Sequence, residues 1–295
     1  MLILDTVPHE TIWGGEKLLP YVEGDFKKIG HLYSLCCEKG LENHILNGAY
    51  SGKPFQAYFE DNKQKFGLGA YDEFPLIIAL VEAKDNLSIQ VHPDDVVAGE
   101  EEGAAYGKNE SWYFLEPPKS GKIFNGCLLR DKEAICQKLN QGEYMSVVDY
   151  LDVKQGDYVY VEAGTLHALA TGAFLYEIEE NSPWTYRFYD FDRMDANGNK
   201  RELHTEKALK ALKPDLKSKR THLGEQEIEE RRYFLRKVEG ENAYQNKSNT
   251  LECLTLIKGD FLAEGIRGTT GTTAVLEPGE SIEGSFEMAI VARPK

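Results

Sequence analysis

Short strand-like runs separated by turn formers constrain the fold of this chain more than any other feature. The runs are FPLIIALVEA (74–83), LSIQVH (87–92), SWYFLE (111–116), DYVYVEA (157–163), AFLYEIEE (173–180) and TYRFYDF (185–191). Between them lie AKDN, PPKSG, KQGD and ATGA, the residue types that close tight turns. Many short strands at this spacing predict a mainly β fold of the jelly-roll kind. Helical patterns are few: KPFQAYFEDNKQKF (53–66), DKEAICQKLNQG (131–142) and HTEKALKALKP (204–214), the last stopped by Pro214.

A short internal repeat suggests two β-domains. DVKQGDYVYV (152–161) resembles VLEPGESIEG (275–284): a strand end, a turn centred on glycine, an acidic residue, then another strand. This is the turn shape of a cupin half-motif. The first copy continues into EAGTLHA with its histidine, and the second continues into nothing titratable. The expected organisation is two cupin-like jelly-roll β-domains with a few short helices. Residues 1–230 would form the first domain and 231–295 a degenerate cupin-like β-domain, with 216–232 as a linker or surface segment.

With 34 basic against 49 acidic residues, the 295-residue chain carries a formal charge of -15. An acidic surface repels nucleic acid and anionic lipid, so neither is expected as a partner. A bound anion would need a local cluster of Lys or Arg working against that field. The five cysteines form no CxxC pair, and the N-terminal stretch has no basic region followed by a long apolar core. A reduced, soluble, cytoplasmic chain is the expectation.

LSIQVHPDD (87–95) alternates like a strand, yet one face carries Ser88, Gln90 and His92 before Pro93 ends the run. In YGKNESWYFLE (106–116), Lys108, Glu110 and Trp112 share a face; a solvated hairpin start is the simpler use of that pattern, a carboxylate and a cation in a cavity the functional one. GDYVYVEAGTLHALATG (156–172) delivers His167 three residues after Gly164. Two histidines, one carboxylate and a neutral amide oxygen, here His92, His167, Glu110 and Gln90, are a donor set that suits zinc and leaves a position open. In NSPWTYRFYDFDR (181–193), Arg187 is either a stacked structural residue or a fixed cation for developing negative charge. YEIEEN just before it is read as a solvated strand edge.

Together with IWGG (12–15) and RELH (201–204), these segments resemble the short bacterial and archaeal form of the type I mannose-6-phosphate isomerases. They occur in family order across residues 12–204, about two thirds of the chain. The resemblance implies a zinc-dependent cupin with a second cupin-like domain. It implies one Zn2+ per chain held by His92, Glu110 and His167, with Gln90 as a fourth ligand. Arg187 matches the family's catalytic arginine and Lys108 a cation lining the sugar pocket. The implied reaction interconverts mannose 6-phosphate and fructose 6-phosphate through an enediol, in a monomer or homodimer. The sequence departs from the family pattern at Ala79, where a Lys is usual, at GHLYSLCC (30–37), and at Glu162, where a Pro is usual. Those departures motivate two other readings: an isomerase for a different or unphosphorylated sugar, and a non-catalytic zinc-containing sugar-binding or regulatory protein.

Overall fold

The computed structural model describes residues 1–194 and 198–295, and the chain folds into two compact units. One comprises residues 1–10, 16–80 and 223–295, and the other residues 11–15 and 81–222. The first unit thus combines both ends of the chain, whereas the repeat in the sequence suggests a division at 230.

The first unit holds an antiparallel eight-stranded sheet. Its main path runs Leu2–Ile3, Thr273–Leu276, Glu252–Ala263, Ser281–Pro294, Tyr233–Val238, Ile228–Glu229. Ile3, Leu254, Leu256, Phe261, Leu276 and Phe286 build its core, an apolar cluster sealed from water. The helix expected over 53–66 forms over Phe55–Asn62 and buries Phe55, Tyr58 and Phe59.

The second unit carries two antiparallel sheets. One follows the order Tyr186–Tyr189, Ile89–Val91, His167–Ala168, Lys122–Cys127, Val148–Asp152. The other contains, in order, Arg220–His222, Asp157–Val161, Glu110–Glu116 and Phe174–Glu180. Ile89, Val91, Leu166, Ala168, Tyr186 and Phe188 pack with helix residues Ile135, Leu139, Ala208 and Ala211. Helices Lys132–Asn140 and Thr205–Ala211 therefore cover one face of the first of these sheets. Because side chains alternate, that leaves Gln90 and Arg187 on the opposite face.

Each strand-like run in the sequence contains a strand, and the mainly β fold is confirmed. The repeat also has a structural counterpart. Gly156 and Gly279 sit at φ +82° and +84°, each in a tight turn leading into a long-paired strand. In each turn the following N–H donates three residues back, Asp157 to Lys154 O and Glu280 to Glu277 O.

The 216–232 stretch, expected as a linker or surface segment, is largely exposed, and within it Arg220–His222 pairs in register with Asp157–Val161. Helix Asp95–Glu102 was not anticipated, since its acidic, weakly patterned sequence reads as loop. Its ends were nonetheless written in the chain. Asp94 caps it by accepting from Val97 N at 3.0 Å, and Gly103 closes it at φ +66°.

Candidate active site

His92, Glu110 and His167 meet in the buried interior of the second unit. Each is about 1% exposed, and their ligand atoms lie within 4.8 Å of one another. His92 follows the Ile89–Val91 strand, where Pro93 cannot continue the ladder. His167 opens its short strand directly after the Gly164 turn at φ +97°. Gly164 N donates to His92 O at 2.9 Å, which ties the two histidine segments together. Glu110 opens a strand of the other sheet, so the cluster bridges the two sheets.

The hydrogen-bond network assigns both imidazole tautomers. His92 Nδ1 donates to Trp184 O at 3.0 Å and His167 Nδ1 to Thr165 O at 2.9 Å. Both Nε2 lone pairs then point at Glu110, at 3.1 Å from Oε2 and Oε1 respectively. Burial pushes the His92 imidazole down to about 4, Glu110 opposing this, so His92 is neutral at pH 7. The neutral His92 nitrogen thus faces a carboxylate oxygen in a dry interior, and Glu110 Oε1 has no hydrogen-bond donor. Acceptors arranged around one point are satisfied by a cation. Two imidazole nitrogens and a carboxylate are ligand types that zinc takes, and here each nitrogen lies 3.1 Å from a Glu110 oxygen. The donor set fits the ion.

Gln90 lies beside this set, paired with His167 on one side and Arg187 on the other. Its Nε2, rather than its oxygen, faces His167 Nε2 at 3.4 Å. A half-turn of the amide exchanges the two atoms.

Lys108 is buried, and its ammonium pairs with Glu179 Oε1 at 2.6 Å. Burial acts to lower its pKa, but Glu179 and Glu110 outweigh burial and hold it above the ordinary lysine value. Glu177, which accepts from Trp112 Nε1 at 2.7 Å, is pushed the other way. Burial, then the nearby Glu179 and Glu110 charges, raise its carboxyl well above the usual range. The YEIEEN segment is accordingly no solvated edge: Glu177 is 6% exposed and lies across from Trp112 in the paired strands. The signal missed in the sequence was period two, since Glu177 and Glu179 fall on one face, the face that Glu110 shares.

Lys108 N donates to Pro93 O, and Gly107 makes that approach possible. A Cβ on Gly107 would meet Pro93 O at 2.2 Å and Asp94 backbone at 2.5 Å. Gly107→Ala is therefore expected to destabilise the protein by about 1–3 kcal/mol, read as a lower urea midpoint; an unchanged midpoint would contradict this packing.

Arg187 sits in the strand next to Gln90 and is stapled to the RELH segment. Its Nη1 donates to Glu202 O at 2.8 Å and its backbone N to His204 Nδ1 at 3.0 Å, while His204 N donates back to Arg187 O at 2.8 Å. Arg187 Nε is buried without a hydrogen-bond partner. All the site residues expected from the sequence thus lie in one unit, with the ion-pair partner Glu179 and the His204 staple added by the structure.

A pair of antiparallel sheets closing on a buried His, Glu, His set defines a cupin-type fold with a candidate metal centre. Residues 2–114 match the phosphomannose isomerase type I catalytic domain. The chain is 37% identical over 212 residues to YvyI of Bacillus subtilis, a protein named for mannose-6-phosphate isomerase, covering 71% of this chain and 67% of that one. The mannose-6-phosphate isomerase of Streptococcus mutans is 34% identical over 72% of this chain and 67% of its own. The crystal structure of the Bacillus subtilis mannose 6-phosphate isomerase superposes with a TM-score of 0.86 at 29% identity, covering 99% of both chains. The chain belongs to the type I phosphomannose isomerase family of enzymes. Among the described residues no helix is long and apolar enough to cross a membrane.

Proposed function

We propose that this chain interconverts mannose 6-phosphate and fructose 6-phosphate, with one zinc ion held by His92, Glu110 and His167. The observation that carries the metal is the set of mutually facing acceptors, with Glu110 Oε1 lacking any donor. A zinc-bound mannose 6-phosphate isomerase shares the fold, with a TM-score of 0.67 at 12% identity over 100% of this chain and 99% of that one, which supports the fold comparison. The ion would supply Lewis acidity to the sugar oxygens. With its amide turned, Gln90 would offer a fourth oxygen.

The chain's own residues hold and orient the sugar and meet its charge. Aldose–ketose interconversion takes a proton from C2, leaves an enediol across C1 and C2, and returns a proton at C1. Negative charge builds on a sugar oxygen as the C2 proton leaves. Arg187, a guanidinium fixed by Glu202 O with Nε unpartnered, would stabilise that charge. Lys108, kept protonated by Glu179, is a hydrogen-bond donor towards the sugar hydroxyls. The second unit would be the catalytic one, since it holds every one of these residues.

The test is metal analysis of the purified protein with an assay of mannose 6-phosphate isomerisation. Stoichiometric zinc with turnover is expected. Zinc with turnover of another sugar but not of this ester would favour the second reading, motivated by Ala79.

His92 also makes a pH prediction for the metal-free protein. The folded state holds this imidazole near 4 and the unfolded state near 6.5, so the unfolded state binds more protons between those values. Stability is therefore lost as pH falls through that window. The metal-free Tm is expected to be lower at pH 5 than at pH 7, and His92→Asn to shrink that difference; an equal difference in both proteins would contradict the assignment.

A further inference from the structure

Tyr186–Tyr189 is the outermost strand of its sheet, so one side of its backbone has no neighbouring strand. At Arg187 that outer side is completed by a single residue. Arg187 N donates to His204 Nδ1 at 3.0 Å, and His204 N donates to Arg187 O at 2.8 Å. The imidazole nitrogen stands where a partner strand would offer a carbonyl. Because Nδ1 accepts, the ring proton of His204 sits on Nε2. A second proton on Nδ1 would turn two donors against each other and undo the bond.

The surroundings favour the accepting form. Burial pushes the His204 pKa below the ordinary histidine value; Arg187 and Lys207 add to that push, while Glu202 and Glu102 oppose it. The ring also meets the Tyr186 ring near edge-on, with centroids 6.4 Å apart. Glu102 accepts from the Tyr186 hydroxyl at 2.9 Å and from Lys207 Nζ at 2.7 Å. Lys207 belongs to the helix that begins directly after His204 and packs Ala208 and Ala211 into the core. His204 is therefore delivered to the strand from an anchored base.

The contact does little to hold the strand itself. Tyr186 and Phe188, on either side of Arg187, are buried in the core and keep the strand in place. The Arg187 side chain, in contrast, has Nη1 on Glu202 O and Nε without a hydrogen-bond partner. Its direction follows from how residues 202–204 meet the strand.

We propose that His204 is a positioning residue for the isomerisation: its unprotonated Nδ1 sets the direction of Arg187, and protonation of that atom switches the site off in acid. This rests on the functional reading above, in which Arg187 meets the charge on the sugar.

The test uses the zinc-loaded full chain, with kcat, KM and zinc content measured from about pH 5 to about pH 8. The Arg187 backbone amide is followed by NMR over the same range. In the wild type, kcat per bound zinc is expected to fall on the acid side and the amide shift to titrate with it. His204→Asn offers an oxygen that accepts and cannot be protonated. It is expected to keep kcat within about threefold at the alkaline end and to lose the acid limb. His204→Leu removes the acceptor and is expected to lower kcat at least about tenfold at every pH, with KM and zinc content little changed. The same acid limb in His204→Asn as in the wild type would overturn the proposal, as would full kcat in a folded His204→Leu protein. Should His204→Leu not fold, the His204→Asn profile decides. The amide shift needs no turnover. Failure of the wild type to isomerise mannose 6-phosphate would sink the functional reading, while an Arg187 amide that titrates in the wild type and not in His204→Asn would still support the latch. An amide indifferent to pH would sink the latch.

Discussion

His167→Ala is expected to abolish both zinc retention and isomerisation. The imidazole supplies one of two ring nitrogens facing Glu110, and its removal leaves His92 and one carboxylate in a buried space. Even partners that merely orient metal ligands typically contribute 10–100-fold to affinity or activity. Loss of a direct ligand is expected to exceed that, so kcat/KM falls by more than about 10²-fold. Zinc content after dialysis and the isomerase assay read the two effects separately. The fold itself is expected to survive, because His167 lies in a two-residue strand flanked by the apolar Leu166 and Ala168, which carry the packing. A variant that keeps stoichiometric zinc and full activity would remove His167 from the centre.

Arg187→Ala is expected to separate chemistry from metal binding. The guanidinium touches Glu202 O and is not one of the clustered metal-binding groups. Zinc content is therefore expected to remain stoichiometric. Withdrawing a fixed cation or donor from developing negative charge typically costs about 10²–10³ in kcat, or roughly 3–4 kcal/mol. Metal loss along with activity would instead mean that Arg187 acts through Gln90, its cross-strand neighbour, on the centre itself. Normal turnover would place the charge stabilisation elsewhere.

Much of the site was legible because strands place residues by simple alternation. Ile89 and Val91 on one face and Gln90 and His92 on the other already separated a packing surface from a site surface, and the packed helices use the former. Pro93 and Gly164 marked where each histidine segment turns. What could not be read locally was pairing across the sheets. Lys108 looked able to pair with nearby Glu110, yet its ammonium lies against Glu179, about seventy residues later in the chain. Glu177 and Glu180 looked solvated because three acidic residues within YEIEEN suggest an exposed edge. Strand pairing buries them instead, and burial of Glu177 raises its carboxyl rather than leaving it ionised in water. The helix over Asp95–Glu102 escaped for a related reason: capping groups specify its ends while its apolar content is slight. The staple on Arg187 was hidden because His204 reaches it only through folding.

The central claim is that this chain carries out zinc-dependent isomerisation of mannose 6-phosphate. The most direct measurement follows that reaction with the protein as purified, after removal of metal with a chelator, and after zinc is returned. The account predicts turnover in the first state, its loss in the second, and its recovery near one zinc per chain in the third. Undiminished turnover by protein shown to be free of metal would contradict it.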